Sequence, residues 1–401
     1  MDWIECFMEY TSSLPTPEIF RLWAGITAIS GALDRRIWAD LGPAPVFPNL
    51  YTMLVGVPGT GKSQACAPVR TLWTMCRELH VAPDNVTKAA LIDSLHKNSR
   101  FFLNDSVPGG MLEIHSVLVA APELGVLMSK HDLEFISVLN HIFDSPPIYS
   151  EERRSMEGRQ PEITNPQLTI LSGAQPDFLG SILPEEAWGM GFCSRLLLIY
   201  AAVPPKIKLF SKTSKPDPQL LKQLSYEMDG MANLYGEMSW TEEAQNAVAV
   251  WYDEGLIPVP THSKLLHYST RRLLLLTKLI TIASISRKRD KIILAEDVER
   301  AKNWMLDAEK VMPDVFRAML AKNDSELLQE LHRYIWRLWA SALPEQRKPV
   351  AITEVYTFLK DRAPSERIDR LVDIAEKSGL LVRSPVGGWI PKPLINLPGN
   401  T

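Results

Sequence analysis

One octapeptide limits what this chain can become. Gly56-Val57-Pro58-Gly59-Thr60-Gly61-Lys62-Ser63 places four residues between two glycines and follows the second with Lys and Ser. The apolar run Leu50 to Val55 before it predicts a buried strand, and Gln64 to Leu79 after it predicts a helix. A strand, a glycine-rich turn and a helix, in that order, turn backbone N–H groups onto an anion, and the helix N-terminus adds its dipole. Gly56, Pro58, Gly59, Thr60, Gly61, Lys62, Ser63 and Gln64 are therefore the candidate phosphate-binding residues. Lys62 is placed to reach the β- and γ-phosphates of a nucleotide, and the Ser63 hydroxyl to sit on Mg²⁺.

Bulk properties narrow the setting. A chain of 401 residues is long enough for two or three domains, and 46% hydrophobic with 22% charged residues is the balance of a globular protein. The net charge of −4 means that any nucleic-acid surface must be local. Cys6, Cys66, Cys76 and Cys193 form no C-x-x-C pair, so they predict neither a zinc site nor a disulfide framework, as expected of a reducing cytoplasm. The start, Met1-Asp2-Trp3-Ile4-Glu5, is acidic where a signal peptide is basic, and the apolar run Leu22 to Leu33 is too short to span a bilayer. A cytoplasmic protein without a membrane partner is the expectation.

Periodicity divides the rest. Residues 2–12 and 18–34 read as helices of an N-terminal cap (1–45), with Pro43, Pro45 and Pro48 leading into the strand before the glycines. Within 46–203, strands are expected at 100–104, 114–121, 168–171 and 196–201, and helices at 87–97 and 133–143. That alternation predicts an α/β sandwich with a parallel sheet. Residues 204–218 are rich in Pro and Lys and read as a linker; with 219–320, expected to be all helical and to hold long helices at 270–285 and 295–313, they make a 204–322 linker and helical lid. The remainder, 323–401, reads as three helices and two short strands around Gly387-Gly388, the pattern of a winged helix.

Hydrolysis of a bound nucleotide needs a carboxylate at a neighbouring strand end. Val117-Leu118-Val119-Ala120-Ala121-Pro122-Glu123 supplies Glu123 to orient the water, although Pro122 stands where a Mg²⁺-binding Asp would be expected. Gln175, after the next strand, is a candidate to touch the γ-phosphate or the water; a turn-stabilising amide is the competing reading. Arg195, in Gly191-Phe192-Cys193-Ser194-Arg195, precedes the last strand and could serve a neighbouring subunit's γ-phosphate or a structural ion pair. Of the arginines in Ser269-Thr270-Arg271-Arg272, Arg271 is the candidate to reach the nucleotide from the helical lid, and Arg272 is expected at the surface.

This order of motifs resembles the AAA+ ATPases over residues 15–310. More narrowly, it is similar to the MCM-type helicases and to helicase-like ATPases of phage replication modules. The resemblance implies that Lys62 and Ser63 form Walker A, Glu123 is the catalytic Glu of Walker B, and Gln175 is sensor 1. It also implies Arg195 as an arginine finger acting in trans and Arg271 as sensor 2, with ATP and Mg²⁺ as ligands and a ring, six subunits being the family habit. The absent Walker B Asp, and the lack of a zinc-binding or OB-type N-terminal domain, depart from that pattern.

In related helicases the loop at 148–164 is a hairpin that faces the ring's pore. Arg153, Arg154 and Arg159 there are the candidate contacts to single-stranded or forked DNA, although four glutamates share the segment. The expected function is an ATP-dependent DNA helicase of a phage or mobile element. The alternatives are an ATPase that loads or remodels another replication protein, and an ATP-gated DNA-binding initiator. The tryptophans, spaced with Leu and Ile, read as core rather than as base-stacking platforms.

Overall fold

The structure, a computed structural model of the chain, describes residues 2–42, 44–83, 87–103, 110–128, 132–150, 162–183, 191–203, 216–288, 290–360, 362 and 365–392. The chain divides into two compact units, Met1–Phe316 and Arg317–Thr401. Among the described residues no helix is long and apolar enough to cross a membrane.

The first unit is a mixed α/β fold around one five-stranded sheet. Helices α1 (Trp3–Tyr10) and α2 (Glu18–Leu33) precede a small sheet edge formed by β1 (Ile37–Asp40) and β2 (Pro45–Val46). There follow β3 (Tyr51–Gly56), α3 (Lys62–Met75), α4 (Lys88–Lys97), β4 (Ser99–Leu103), β5 (Met111–Ala121), α5 (Leu124–Leu127) and α6 (Leu133–Phe143). The hairpin pair β6 (Ile148–Ser150) and β7 (Glu162–Thr164), then β8 (Pro166–Ala174), α7 (Pro176–Ile182) and β9 (Leu196–Ala201), complete the core. The sheet order is β4-β5-β8-β3-β9. β5, β8, β3 and β9 run parallel, in line with the expected parallel sheet, and β4 is antiparallel to β5, so the sheet is mixed at that edge. The short connection from β4 to β5 explains this, since adjacent parallel strands need a long crossover.

Every residue of β3 is buried, as a central strand covered on both faces requires. Alternation shows what covers it. The Thr27 hydroxyl on α2 is hydrogen-bonded to the Thr52 hydroxyl at 2.7 Å, while the neighbouring Tyr51 hydroxyl donates to Leu139 O on α6 at 2.9 Å. Successive strand residues point to opposite faces, so α2 and α6 lie on opposite sides of the sheet. The N-terminal helix α2 is thus a layer of the sandwich, buried over twelve of its sixteen residues. Gly31 lets it approach: a Cβ there would lie 2.7 Å from the Trp73 ring.

The expected all-helical region after the linker also carries strands. β10 (Gly236–Glu237) joins β1, and β11 (Ser239–Trp240) joins β12 (Ile292–Ile293), both parallel. The helix Arg272–Lys288 is buried along most of its length, and the helix from Ala295 runs unbroken to Ala340, past Pro313 where a stop was expected. The second unit holds the end of that helix, the helices Ile352–Lys360 and Ser365–Lys377, and the antiparallel hairpin β13 (Leu381–Arg383) and β14 (Trp389–Pro391). Its own core gathers Leu331, Ile335, Val355, Leu371, Leu381 and Trp389.

Candidate functional site

Register brings the predicted phosphate-site residues to one sheet edge. Ala121 pairs with Ser172, and Ala174 pairs with Val55, so β5, β8 and β3 end side by side. The residues that leave those ends, Glu123, Gln175 and the Gly56–Ser63 loop, line one pocket of about 330 Å³. Two larger clefts, of about 480 and 540 Å³, are lined mostly by apolar and aromatic residues such as Trp240 and Trp38, and neither contains Lys62.

The loop's shape follows from its glycines. Gly59 and Gly61 hold φ of 82° and 83°, where side chains other than glycine are strained. Gly61 also abuts the N-terminal segment: a Cβ there would lie 2.3 Å from Pro15 O. Gly61 is the N-cap of α3 and offers no side-chain cap, so the first N–H groups of that helix lack the usual side-chain acceptor. Thr60 is buried and its hydroxyl donates to Val57 O, which closes the turn from inside. Val57, Pro58, Gly59, Ser63 and Gln64 are exposed.

Lys62 is 9% exposed, and its ammonium donates to Gly56 O at 2.7 Å and Val57 O at 2.9 Å. Burial lowers the Lys62 ammonium below its ordinary range, while the Glu123 carboxylate works in the opposite direction. Glu123 is exposed at the mouth and Gln175 half-buried beside it. Gly173 permits this crowding, because a Cβ there would lie 2.4 Å from Pro122 O and 3.1 Å from Lys62 Cβ. Uncapped N–H groups, an ammonium held by neutral carbonyls and a hydroxyl at a helix start suit a polyphosphate; a carboxylate and an amide at the rim suit an attacking water. For Mg²⁺, the Ser63 hydroxyl is the candidate donor of the loop; among the described residues no cluster of three His, Cys, Asp or Glu side chains could hold a metal. That donor set fits an ion held largely by phosphate oxygens and water.

Arg195 and Arg271 are elsewhere. Leu196 pairs with Tyr51, the first residue of β3, whereas Lys62 follows its last. Five steps along a strand at about 3.3 Å each separate the two ends by roughly 17 Å. At the far end Arg195 is 8% exposed; its guanidinium bonds Asp144 and donates to Gly191 O at 2.7 Å. Arg271 donates to the same carboxylate at 2.7 Å. Burial disfavours the charged form of Asp144, but the hydrogen bonds from Arg195 and Arg271 outweigh it, and the carboxyl sits below its usual range. The two arginines, 76 positions apart in sequence by their numbers, therefore share one partner.

Arg272 was expected at the surface and is instead 1% exposed. It grips Glu309 through Nε at 2.8 Å and Nη2 at 2.8 Å, and donates to Pro258 O. Arg271 and Arg272 lie where the short helix Leu266–Ser269 gives way to the helix starting at Arg272, and the helical turn sends them different ways. Arg287, in the last turn of the helix Arg272–Lys288, bonds Asp297. Arg153, Arg154 and Arg159 lie outside the described residues; the β6–β7 ladder that frames them is present. Sequence reasoning missed Pro15, Gly173 and Asp144. Pro15 lies between two proline-spaced helices, and Asp144 follows an ordinary amphipathic helix, so neither carries a local signal.

No protein-family model matches the chain, and no curated protein matches it.

Proposed function

We propose that the protein is an AAA+-type ATPase that works as a head-to-tail oligomer, and that its activity is the ATP-driven movement of DNA. The observation that carries this reading is the division of labour between the two ends of one sheet. Lys62, Ser63, Glu123 and Gln175 line one pocket, while Arg195 and Arg271 are gathered at the opposite end. Arginines that stabilise a transferring phosphoryl group must touch it, and these two are too far from Lys62 of their own chain to do so. A second copy, turned so that its arginine end meets this pocket, would complete the site, and such a contact is heterologous and builds rings or filaments.

In this reading the loop N–H groups and Lys62 bind and orient the phosphates, and Glu123 accepts a proton from the attacking water while Gln175 orients it. Mg²⁺, when bound, would neutralise charge on the phosphate oxygens. The β6–β7 hairpin and the helix–helix–hairpin order of the second unit support the DNA-directed part, the latter as a winged helix. The loader and initiator alternatives share the same ATPase site.

The test is phosphate release and strand displacement by the purified full chain on a forked duplex. ATP hydrolysis stimulated by single-stranded DNA, with unwinding that Glu123→Gln abolishes, is expected. Hydrolysis without unwinding on either tail polarity would leave the ATPase and remove the helicase.

A further inference from the structure

The proposed site uses Arg195 and Arg271 but gives no account of Asp144. Its carboxylate receives Arg195 on one oxygen and Arg271 on both, at 2.7 and 3.4 Å for the latter. The backbone on either side of it is fixed. Asp144 is the C-cap of α6, and the next residue, Ser145, takes φ of 53°, a left-handed turn that redirects the chain. Arg35, itself buried, donates to Ser145 O at 2.8 Å, Pro146 O at 2.8 Å and Pro166 O at 2.9 Å. Asn49 ties Phe143 O from the side of β3 at 3.0 Å. The carboxylate therefore stands on a rigid base at the foot of β6.

Among the described residues two guanidinium groups face one carboxylate, so one positive charge is left unmatched there, and the buried Arg195 Nε has no hydrogen-bond partner. Two like charges close together repel unless an anion lies between them. We infer that Asp144 is a positioning residue that holds Arg195 and Arg271 as one rigid double cation, whose target is the terminal phosphate of a nucleotide bound to a second copy of this chain. The inference rests on the proposed head-to-tail assembly. Without Asp144 the arginines splay, and each must be re-ordered at the moment of reaction. With it, the geometry is in place before the neighbour arrives. The same anchor joins the arginines to the hairpin through only the four residues from Asp144 to Pro147.

The test is Asp144→Asn, which keeps the shape and removes the charge, in the full-length protein. Steady-state ATP hydrolysis should lose about tenfold or more in kcat, with KM for ATP within about twofold, because the chain's own Gly56–Ser63 loop is untouched. D144N is then mixed with K62A, which carries intact arginines but a disabled pocket. Recovery of hydrolysis in the mixture is expected, since K62A arginines serve D144N pockets. A merely structural role predicts loss without recovery, and that result overturns the inference. So does wild-type kcat in D144N alone. A mixture of K62A with R195A is the control: if no hydrolysis is recovered there either, while the wild type is active, the trans assembly itself is wrong, and both readings fall together. Recovery in the control but not with D144N removes only the role of Asp144.

Discussion

The two ends of the central sheet hold cations in opposite ways. At the β3 C-terminus, Lys62 lines a pocket with exposed Ser63 and Glu123 and rests on the neutral carbonyls of Gly56 and Val57. At the N-terminal end of the strand, Arg195 and Arg271 share the single full charge of Asp144. A cation on carbonyls exchanges them for phosphate oxygens readily, because the incoming contacts are charge-assisted and stronger. A cation on a carboxylate keeps its direction. In the proposed reading, one end receives an anion and the other presents a fixed charge.

The sharpest way to break this comparison is to disable each end alone. Arg195→Ala should lower kcat for ATP about 10³-fold while leaving ATP binding intact, whereas Lys62→Ala should lose about 10²–10³-fold and weaken nucleotide binding as well. Parallel loss of binding in both, by equilibrium titration with a fluorescent nucleotide, would place the two cations in one functional set and end the contrast.

A second comparison uses neighbours in sequence. Arg272→Ala leaves Glu309 buried without its bidentate partner and should cost roughly 3–5 kcal/mol in urea unfolding. Arg271→Ala removes a side chain 28% exposed from a carboxylate 42% exposed, and should cost under about 1 kcal/mol while removing most hydrolysis. Equal stability losses would contradict the assignment of one arginine to structure and the other to chemistry.

The smallest effect concerns pH. Lys278 lies beside the arginine end, donating to Phe47 O at 2.7 Å, and burial pushes its ammonium down to about 7, with the Asp144 charge opposing that shift. Between about 7 and the unfolded value of 10.5, the unfolded chain holds a proton that the folded one has released. This group therefore adds stability as pH rises through that window, and below about 7 the folded state bears the full cost of a buried charge. Lys278→Met should flatten the stability–pH curve there, by at most about 1.4 kcal/mol per pH unit. An unchanged slope in denaturant melts at pH 7, 8 and 9 would show that Lys278 is charged throughout.

Much of the pocket was legible in the chain. Gly56 to Ser63 could be read because the loop's shape depends on local backbone geometry, which glycine spacing records. Helix α6 appears over the predicted residues 133–143, and β9 over 196–201, because both have strong apolar periodicity. The antiparallel β4 escaped because strand direction is set by the length of a connection and by what it packs on, not by composition. Arg272 was misread because Arg271 and Arg272 are chemically identical in the sequence, and only the helix phase separates them.

By itself, then, the sequence determined a glycine-rich strand–loop–helix, a helix-rich remainder and the residues available for chemistry, since these follow from spacing and side-chain type. Only the tertiary structure decided which groups meet. Parallel register aligned Glu123 and Gln175 with Lys62 at one edge. The fold of the helical region carried Arg271 across 127 positions to Asp144, beside Arg195. Contacts between residues so far apart are set by the packing of whole elements, and no local pattern encodes them.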